Sequence, residues 1–275
     1  MYLSTARVTS KFIAAVFLLH AATVSVNGAD PIAIAHRGML RHAPENTLPA
    51  FAVCLELQMG FELDVRTTKD GHLVVLHDDS VKRTTNGPAR SVRDLTLAEL
   101  QQLDAGSWFD PAFAGLKVPT LEETLSLVKK HRYRPTIIAL NVKQLNRDGE
   151  AKLVALVEKY ELFDESFAFD QDSEMSRRLK KLDRRFRIGQ NVNRKSIQSR
   201  LDEDFLDVFL LTAAPTAEEV TLLHDRGKQA LFNFAGSGEG RRNPTVWKQV
   251  REAGVDGILT DYPLECRMAW RNAVD

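Results

Sequence analysis

The chain is poor in cysteine. Its 275 residues hold two, Cys54 and Cys266, too few for a disulfide framework, and no Cys/His group has the spacing of a zinc site. It also lacks net charge: lysine plus arginine and aspartate plus glutamate each number 37, so no overall field draws it to nucleic acid or to an anionic membrane. Long apolar runs are missing except near the start, where Phe12–Val26 is interrupted by His20 and is too short and too polar at its end for a membrane span. Past that run, no linker or low-complexity stretch divides the chain, which argues for one domain. Cys54 falls in the apolar, helix-like segment Leu48–Leu57 and reads as a small core residue, while a Cys54–Cys266 bond stays open for an oxidising compartment.

What is present begins with an address. Arg7 and Lys11 precede the apolar run and small residues follow at Gly28 and Ala29, the pattern of a secretory signal peptide over residues 1–28. An uncleaved anchor is the alternative. Cleavage leaves residues 29–275, close to the size of one (β/α)8 barrel (~250 residues), and implies a secreted or periplasmic protein with no membrane span.

Strand-like and helix-like stretches then alternate to the end, the mark of a parallel sheet with crossover helices. Eight strands are expected at Ile32–Ala35, Phe61–Val65, Thr136–Asn141, Ser166–Phe169, Phe186–Gly189, Asp207–Thr212, Ala230–Phe234 and Gly257–Thr260. Helices are expected between them, including Asn46–Gln58, Leu121–His131 and Ala217–Arg226, with Thr47 and Thr120 as N-terminal signals and Glu123 completing a capping box. Eight such units predict an α/β fold, a closed TIM barrel. The span from about 80 to 119, with Asn86-Gly87-Pro88, a short helix at Leu97–Leu103 and Trp108-Phe109, is an inserted, lid-like segment after strand two.

Four polar clusters crowd the first third: His36-Arg37-Gly38, Pro44-Glu45-Asn46-Thr47, Glu62-Leu63-Asp64 and His77-Asp78. Unpaired charge is costly to bury, so acids within an apolar strand need a purpose. Asp70-Gly71 is a two-residue hairpin signal. With these two residues as the loop, Lys69 faces His72 and Asp64 faces His77, and period-two alternation puts Glu62 on the same face. Two acids, two histidines and an arginine suit metal-assisted phosphodiester cleavage. In a barrel, His36, Arg37, Asn141 and Lys143 also fall at the carboxyl ends of strands, where active sites form.

These residues resemble the glycerophosphodiester phosphodiesterase family. The matching pieces are Ala35-His36-Arg37-Gly38, Pro44-Glu45-Asn46-Thr47, Glu62-Leu63-Asp64-Val65, Thr68-Lys69-Asp70-Gly71, Val75-Leu76-His77-Asp78, Arg83-Thr84-Thr85-Asn86-Gly87, Leu103-Asp104-Ala105-Gly106-Ser107-Trp108, Pro119-Thr120-Leu121-Glu122-Glu123 and Thr260-Asp261-Tyr262-Pro263. The likeness is strong over 32–125, weak over 163–247, and returns in the last strand. It implies a TIM barrel that cleaves a small phosphodiester with one divalent cation, Ca2+ or Mg2+. Glu62 and Asp64 would ligate that cation, a hard ion suited to carboxylate oxygens. His36 and His77 would share acid and base duties. Arg37 and Lys143 would bind the phosphoryl oxygens and neutralise their growing charge. Glu45 would touch the metal site or hold His36 or Arg37, or else serve as an acid at a helix N-terminus. The nucleophile would be water or the substrate's own neighbouring hydroxyl, the latter giving a cyclic phosphate first.

Two departures stand out. Where the family shows Glu-x-Lys on strand three, this chain reads Asn141-Val142-Lys143, so a metal carboxylate is replaced by an amide that can still ligate a hard cation. Asp170, after Phe167-Ala168-Phe169, is the compensating ligand expected here, or else a cap for the next helix. The run Leu231-Phe232-Asn233-Phe234 also differs from the family's substrate-contacting strand, and the following segment from Ala235 to Arg242 reads as a flexible glycine-rich loop, with a grip on a second anionic group the alternative. The expected function is hydrolysis of glycerophosphodiesters or a related small phosphodiester. A phospholipase D-like attack on sphingolipid or lysolipid head groups, and a barrel that binds phosphodiesters without turning them over, are the alternatives.

Overall fold

The computed structural model describes residues 31–143, 145–169, 173–236 and 239–271. The expected signal segment, residues 1–28, and Asp170 lie outside the described residues. Apolar runs bounded by turns form nine strands: β1 (Ile32–Ala35), β2 (Gly60–Thr67), β3 (Leu73–Val75), β4 (Ile138–Val142), β5 (Ser166–Phe169), β6 (Ile188–Val192), β7 (Val208–Leu211), β8 (Gln229–Phe234) and β9 (Gly257–Thr260). Helices alternate with them: α1 (Leu48–Glu56), α2 (Leu97–Leu100), α3 (Leu121–His131), α4 (Arg147–Lys159), α5 (Ser173–Leu182), α6 (Ile197–Arg200), α7 (Ala217–His224), α8 (Pro244–Glu252) and α9 (Pro263–Arg271). β1 pairs in parallel with both β9 and β2, so eight parallel strands close into the expected TIM barrel. Among the described residues no helix is long and apolar enough to cross a membrane.

Strand alternation sorts side chains into two layers. Ile34, Ala139, Phe167, Val208, Leu210, Leu231 and Leu259 fill the barrel interior, while the opposite faces of the strands, through Phe61, Leu63, Leu140 and Phe232, pack against helix residues such as Phe51, Leu125 and Leu153. Gly189 is forced by the interior layer: a Cβ there would lie 2.7 Å from the Phe167 ring and 2.8 Å from Leu210 Cδ1. Cys54 and Cys266 are both buried and free, which settles against the bond left open above.

The helix starts follow local chemistry. Thr120 and Glu123 form the expected capping box on α3. Thr47 does stand at the start of α1, but its hydroxyl donates to the Pro44 carbonyl at 2.6 Å instead of capping. β4 and β6 begin later than the apolar runs suggested, at Ile138 and Ile188. Phe186 is used up in closing a turn on the Asp183 carbonyl.

The hairpin differs from its expected register. Thr67 pairs with Leu73 and Val65 with Val75, so Asp64 and His77 are not opposite each other. The loop has three residues, not two: Gly71 N–H closes a turn on the Thr68 carbonyl at 3.0 Å, Gly71 takes φ +79°, and Thr68 N–H reaches the His72 carbonyl at 2.9 Å. A one-residue slip would carry His77 to the other face of a continuing strand. β3 stops at Val75, however, and His77 still lies near enough to Asp64 for its charge to help hold that carboxyl down. The segment after β3 carries its own small core of Val74, Leu76, Val81, Val92, Leu95, Leu100, Ala105 and Val118, with Trp108 exposed beyond it.

Candidate active site

The site begins with a length mismatch. β1 ends at Ala35 opposite Phe61, and β3 joins the same side of β2 only at Val65, so β2 is left without a strand partner on that side between them. Glu62 and Asp64 occupy this stretch, and both are 0% exposed. The open edge is completed by local groups. Arg37 N–H donates to Glu62 Oε2 at 2.9 Å, and Asp64 N–H donates to Asn46 Oδ1 at 3.2 Å, while Asn46 Nδ2 returns a bond to Asp64 Oδ2 at 2.8 Å. Arg37 and Asn46 adopt left-handed backbone, φ 56° and 58°, a conformation uncommon outside glycine and a mark of a functional turn when an arginine holds it. On the other side, Asp64 is in register with Asn141 of β4. Lys143, just past β4, brings Nζ to 3.0 Å from Asp64 Oδ1.

Each histidine is oriented by its own carboxylate. His36 Nδ1 lies 2.7 Å from Asp261 Oδ1, and His77 Nδ1 lies 2.7 Å from Asp78 Oδ1. An ionised carboxylate only accepts, so Nδ1 carries the proton in both and Nε2 is presented outward. His36 Nε2 stands 3.9 Å from Glu62 Oε2. The Arg66 guanidinium donates twice to the His77 carbonyl, at 3.0 and 2.6 Å, and holds that residue where the strand has ended. Arg83 then ties the second histidine to the first turn: it donates to Asp78 at 2.6 and 3.0 Å and to Glu45 at 2.9 and 2.8 Å, and Glu45 accepts from Arg37 Nη1 at 3.0 Å. Both Glu45 oxygens are therefore engaged by guanidiniums. Glu45 thereby holds Arg37 and Arg83 side by side.

The electrostatics separate the groups. Burial and the neighbouring Asp64 push the Glu62 carboxyl up to about 7. Burial acts on Asp64 as well, but Lys143, His77, Asn46 and Arg37 outweigh it and hold Asp64 below the usual range. Burial opposes charge on His36, yet the bond to Asp261 and the field of Glu62 raise its pKa above the ordinary histidine value. His77 goes the other way: burial lowers it, with Arg37 and Lys143 adding to the effect against Asp78 and Asp64.

The pattern of a two-carboxylate floor with two oriented histidines is now joined by comparison. Residues 36–265 match the model of the glycerophosphoryl diester phosphodiesterase family. The chain belongs to that family. A glycerophosphodiester phosphodiesterase of Caldanaerobacter subterraneus subsp. tengcongensis is 34% identical to it over 239 residues, covering 84% of this chain and 94% of that protein. The crystal structure of a glycerophosphodiester phosphodiesterase from Agrobacterium tumefaciens superposes with a TM-score of 0.72 at 27% identity, covering 86% of this chain and 99% of that one. An Oleispira antarctica phosphodiesterase, solved in complex with the product sn-glycerol-3-phosphate, gives a TM-score of 0.70 at 25% identity over 88% of this chain and 97% of that one. This family member is thus a phosphoric diester hydrolase built on a TIM barrel.

Within the family frame, the residues present suit a hard cation. Glu62 Oε1 is buried with no hydrogen-bond partner, and Asp64 Oδ1 meets Lys143 as a charge contact without an aligned hydrogen bond. Two buried carboxylates side by side, each with an oxygen that accepts no hydrogen bond, are what a divalent ion relieves. No group of three His, Cys, Asp or Glu side chains able to hold a metal exists among the described residues, so the two acids would need Asn141, water, or Asp170 outside the described residues to complete a coordination shell. The sequence reading gave no role to Asp261, Asp78, Arg83 or Asn46. All four lie inside motifs that carried the family likeness, so the signal was present, but a partner 225 residues away in the chain, as Asp261 is from His36, leaves no local trace.

Proposed function

We propose that this enzyme hydrolyses glycerophosphodiesters to an alcohol and a phosphomonoester, with His77 as general base, His36 as general acid, and one divalent cation, Ca2+ or Mg2+, at Glu62, Asp64 and Asn141. The observation that carries the reading is the pair of histidines, each held through Nδ1 at 2.7 Å by its own carboxylate and both acting on the same buried acid pair. Environments that push two titratable groups apart assign their roles: neutral His77 accepts the nucleophile's proton at Nε2, and protonated His36 gives one to the departing alkoxide. Arg37 and Lys143 offset the charge growing on the phosphoryl oxygens. Arg37 is aimed by Glu45, and its backbone amide fixes Glu62. When bound, the cation would polarise the phosphoryl group. The glycerol-phosphate product held by the Oleispira antarctica relative supports sn-glycerol-3-phosphate as the phosphomonoester. We also propose export, on the strength of residues 1–28.

The test is hydrolysis of glycerophosphocholine and of lysophosphatidylcholine by the purified protein, with EDTA and with Ca2+ or Mg2+ restored. We expect glycerophosphocholine turnover that EDTA abolishes and cation restores. Undiminished turnover in EDTA would remove the role given to Glu62 and Asp64. Choline release from the lysolipid alone would replace the reading with the phospholipase D-like one.

A further inference from the structure

Three guanidiniums stand at the outer rim of the barrel, past the carboxyl ends of its strands and outside the proton-handling network. Arg41 follows β1, and Arg241 and Arg242 follow β8. Arg41 lies over the Tyr262 ring at 4.8 Å from its centroid, Arg242 over the same ring at 5.8 Å, and Arg241 over Phe234 at 5.1 Å. Both rings are buried and make fixed platforms. Stacking uses the face of a guanidinium and leaves its in-plane N–H fork free for an oxyanion. Glu265 approaches Arg242 at 3.7 Å, but among the described residues Arg41 and Arg241 pair with no carboxylate. Arg41 and Arg242 share the Tyr262 ring with one acid, Glu265, beside Arg242, so their repulsion is only partly offset and an anion relieves the rest.

The cluster is attached to the catalytic groups. Tyr262 directly follows Asp261, the partner of His36, and Gly236 N–H donates to the same Asp261 Oδ1 at 3.2 Å, which anchors the start of the segment leading to Arg241. The arginines therefore flank the His36 side of the site, formed by β8, β9 and β1. His36 is the group assigned to protonate the leaving alcohol, so whatever that alcohol carries projects from this side.

We propose that Arg41 and Arg241, backed by Arg242, form a subsite for a second anionic group, a carboxylate or a phosphate, on the alcohol half of the substrate. Glycerophosphodiesters whose head group bears such a group are then preferred over those that lack it. This rests on the hydrolytic reading above and on its assignment of His36.

Two matched pairs of substrates test it: glycerophosphoserine against glycerophosphoethanolamine, which differ by a carboxylate, and glycerophosphoglycerol phosphate against glycerophosphoglycerol, which differ by a phosphate. In the wild type with cation, kcat/KM is expected to favour the anionic member at least fivefold in one pair or both, and the pair that responds identifies the group. Arg41→Gln combined with Arg241→Gln is expected to bring that ratio below twofold while the member lacking the group keeps its kcat/KM within twofold, and 0.5 M salt is expected to compress the wild-type ratio. A wild-type ratio of one or less in both pairs, or a ratio the double variant leaves unchanged, overturns the subsite while hydrolysis itself stands. No turnover of any of the four removes both readings.

Discussion

At the scale of the residue, the decisive partners are the ones that hold other side chains. Arg83 joins Asp78 to Glu45, and through them His77 to Arg37. Replacing Arg83 with Gln is expected to lower kcat/KM roughly tenfold, a part of the 10²–10⁴-fold that a positioned acid or base supplies. The pH profile gives a second readout. As the proposed base His77 must be neutral, and its pKa is below the ordinary value of 6.5, so the acidic limb of kcat/KM is expected below pH 6.5. Loss of Arg83 leaves the Asp78 charge unopposed beside His77, raises that pKa and moves the acidic limb upward. As the proposed acid His36 must be protonated, and its pKa lies above 6.5, so the alkaline limb is expected above pH 6.5. Asp261→Asn removes the bond and the charge that raise it, and should move the alkaline limb downward with a loss of roughly 10²-fold or more, since the tautomer is no longer fixed. Limbs that stay in place in both variants would refute the assignment of base and acid.

Much of this was legible in the chain, and the shortfalls have physical causes. Glu62, Asp64, His36, Arg37 and Lys143 converge as expected because strand alternation and barrel order are local rules. The route taken by His77 was misjudged because the Asp70-Gly71 signal serves a two-residue loop and a three-residue loop with left-handed glycine equally well. Asn141 stands beside Asp64 as its place on β4 implied. Asp261 was invisible as a partner because nothing near His36 in sequence announces it.

Among the elements, β2 is the organising one. It touches β1 with its first residues, β3 with its last and β4 along most of its length, and the acids lie in the gap. The interior beneath them is packed without slack. Gly189→Ala places a Cβ within 2.8 Å of both Phe167 and Leu210, two buried side chains that must shift to admit it. An overpacking cost of about 1–3 kcal/mol is expected, measured as a fall in urea midpoint and a Tm lower by several degrees. The specific activity of the folded fraction should be unchanged, because the clash lies in the interior layer below the catalytic rim.

For the whole molecule, the buried acid pair links stability to pH and to the cation. Glu62 is pushed from 4.5 to about 7, so the folded state holds a proton that the unfolded state has released. Its contribution is fully present below pH 4.5 and is lost as pH rises through about 7. A divalent ion held by the ionised pair, as proposed, would compete with that proton. The rise in Tm on adding Ca2+ or Mg2+ is therefore expected to be larger at pH 8 than at pH 5, and an equal rise at both would show that the ion binds elsewhere.

The mouth of this barrel is also divided between two halves. Among the described residues β1 meets β2 through two residue pairs, Ile34–Gly60 and Ala35–Phe61, and β5 meets β6 through two, Ala168–Ile188 and Phe169–Gly189, where β2 and β4 share five. These short seams part the wall into one arc of β2, β4 and β5 and another of β6 to β9 with β1. The acids, Asn141 and Lys143 ride on the first arc, and His36, Asp261 and the stacked arginines ride on the second. The 3.9 Å separation of His36 from Glu62 therefore bridges the β1–β2 seam, and the site draws its buried carboxylates from one arc and its Asp261-held histidine from the other.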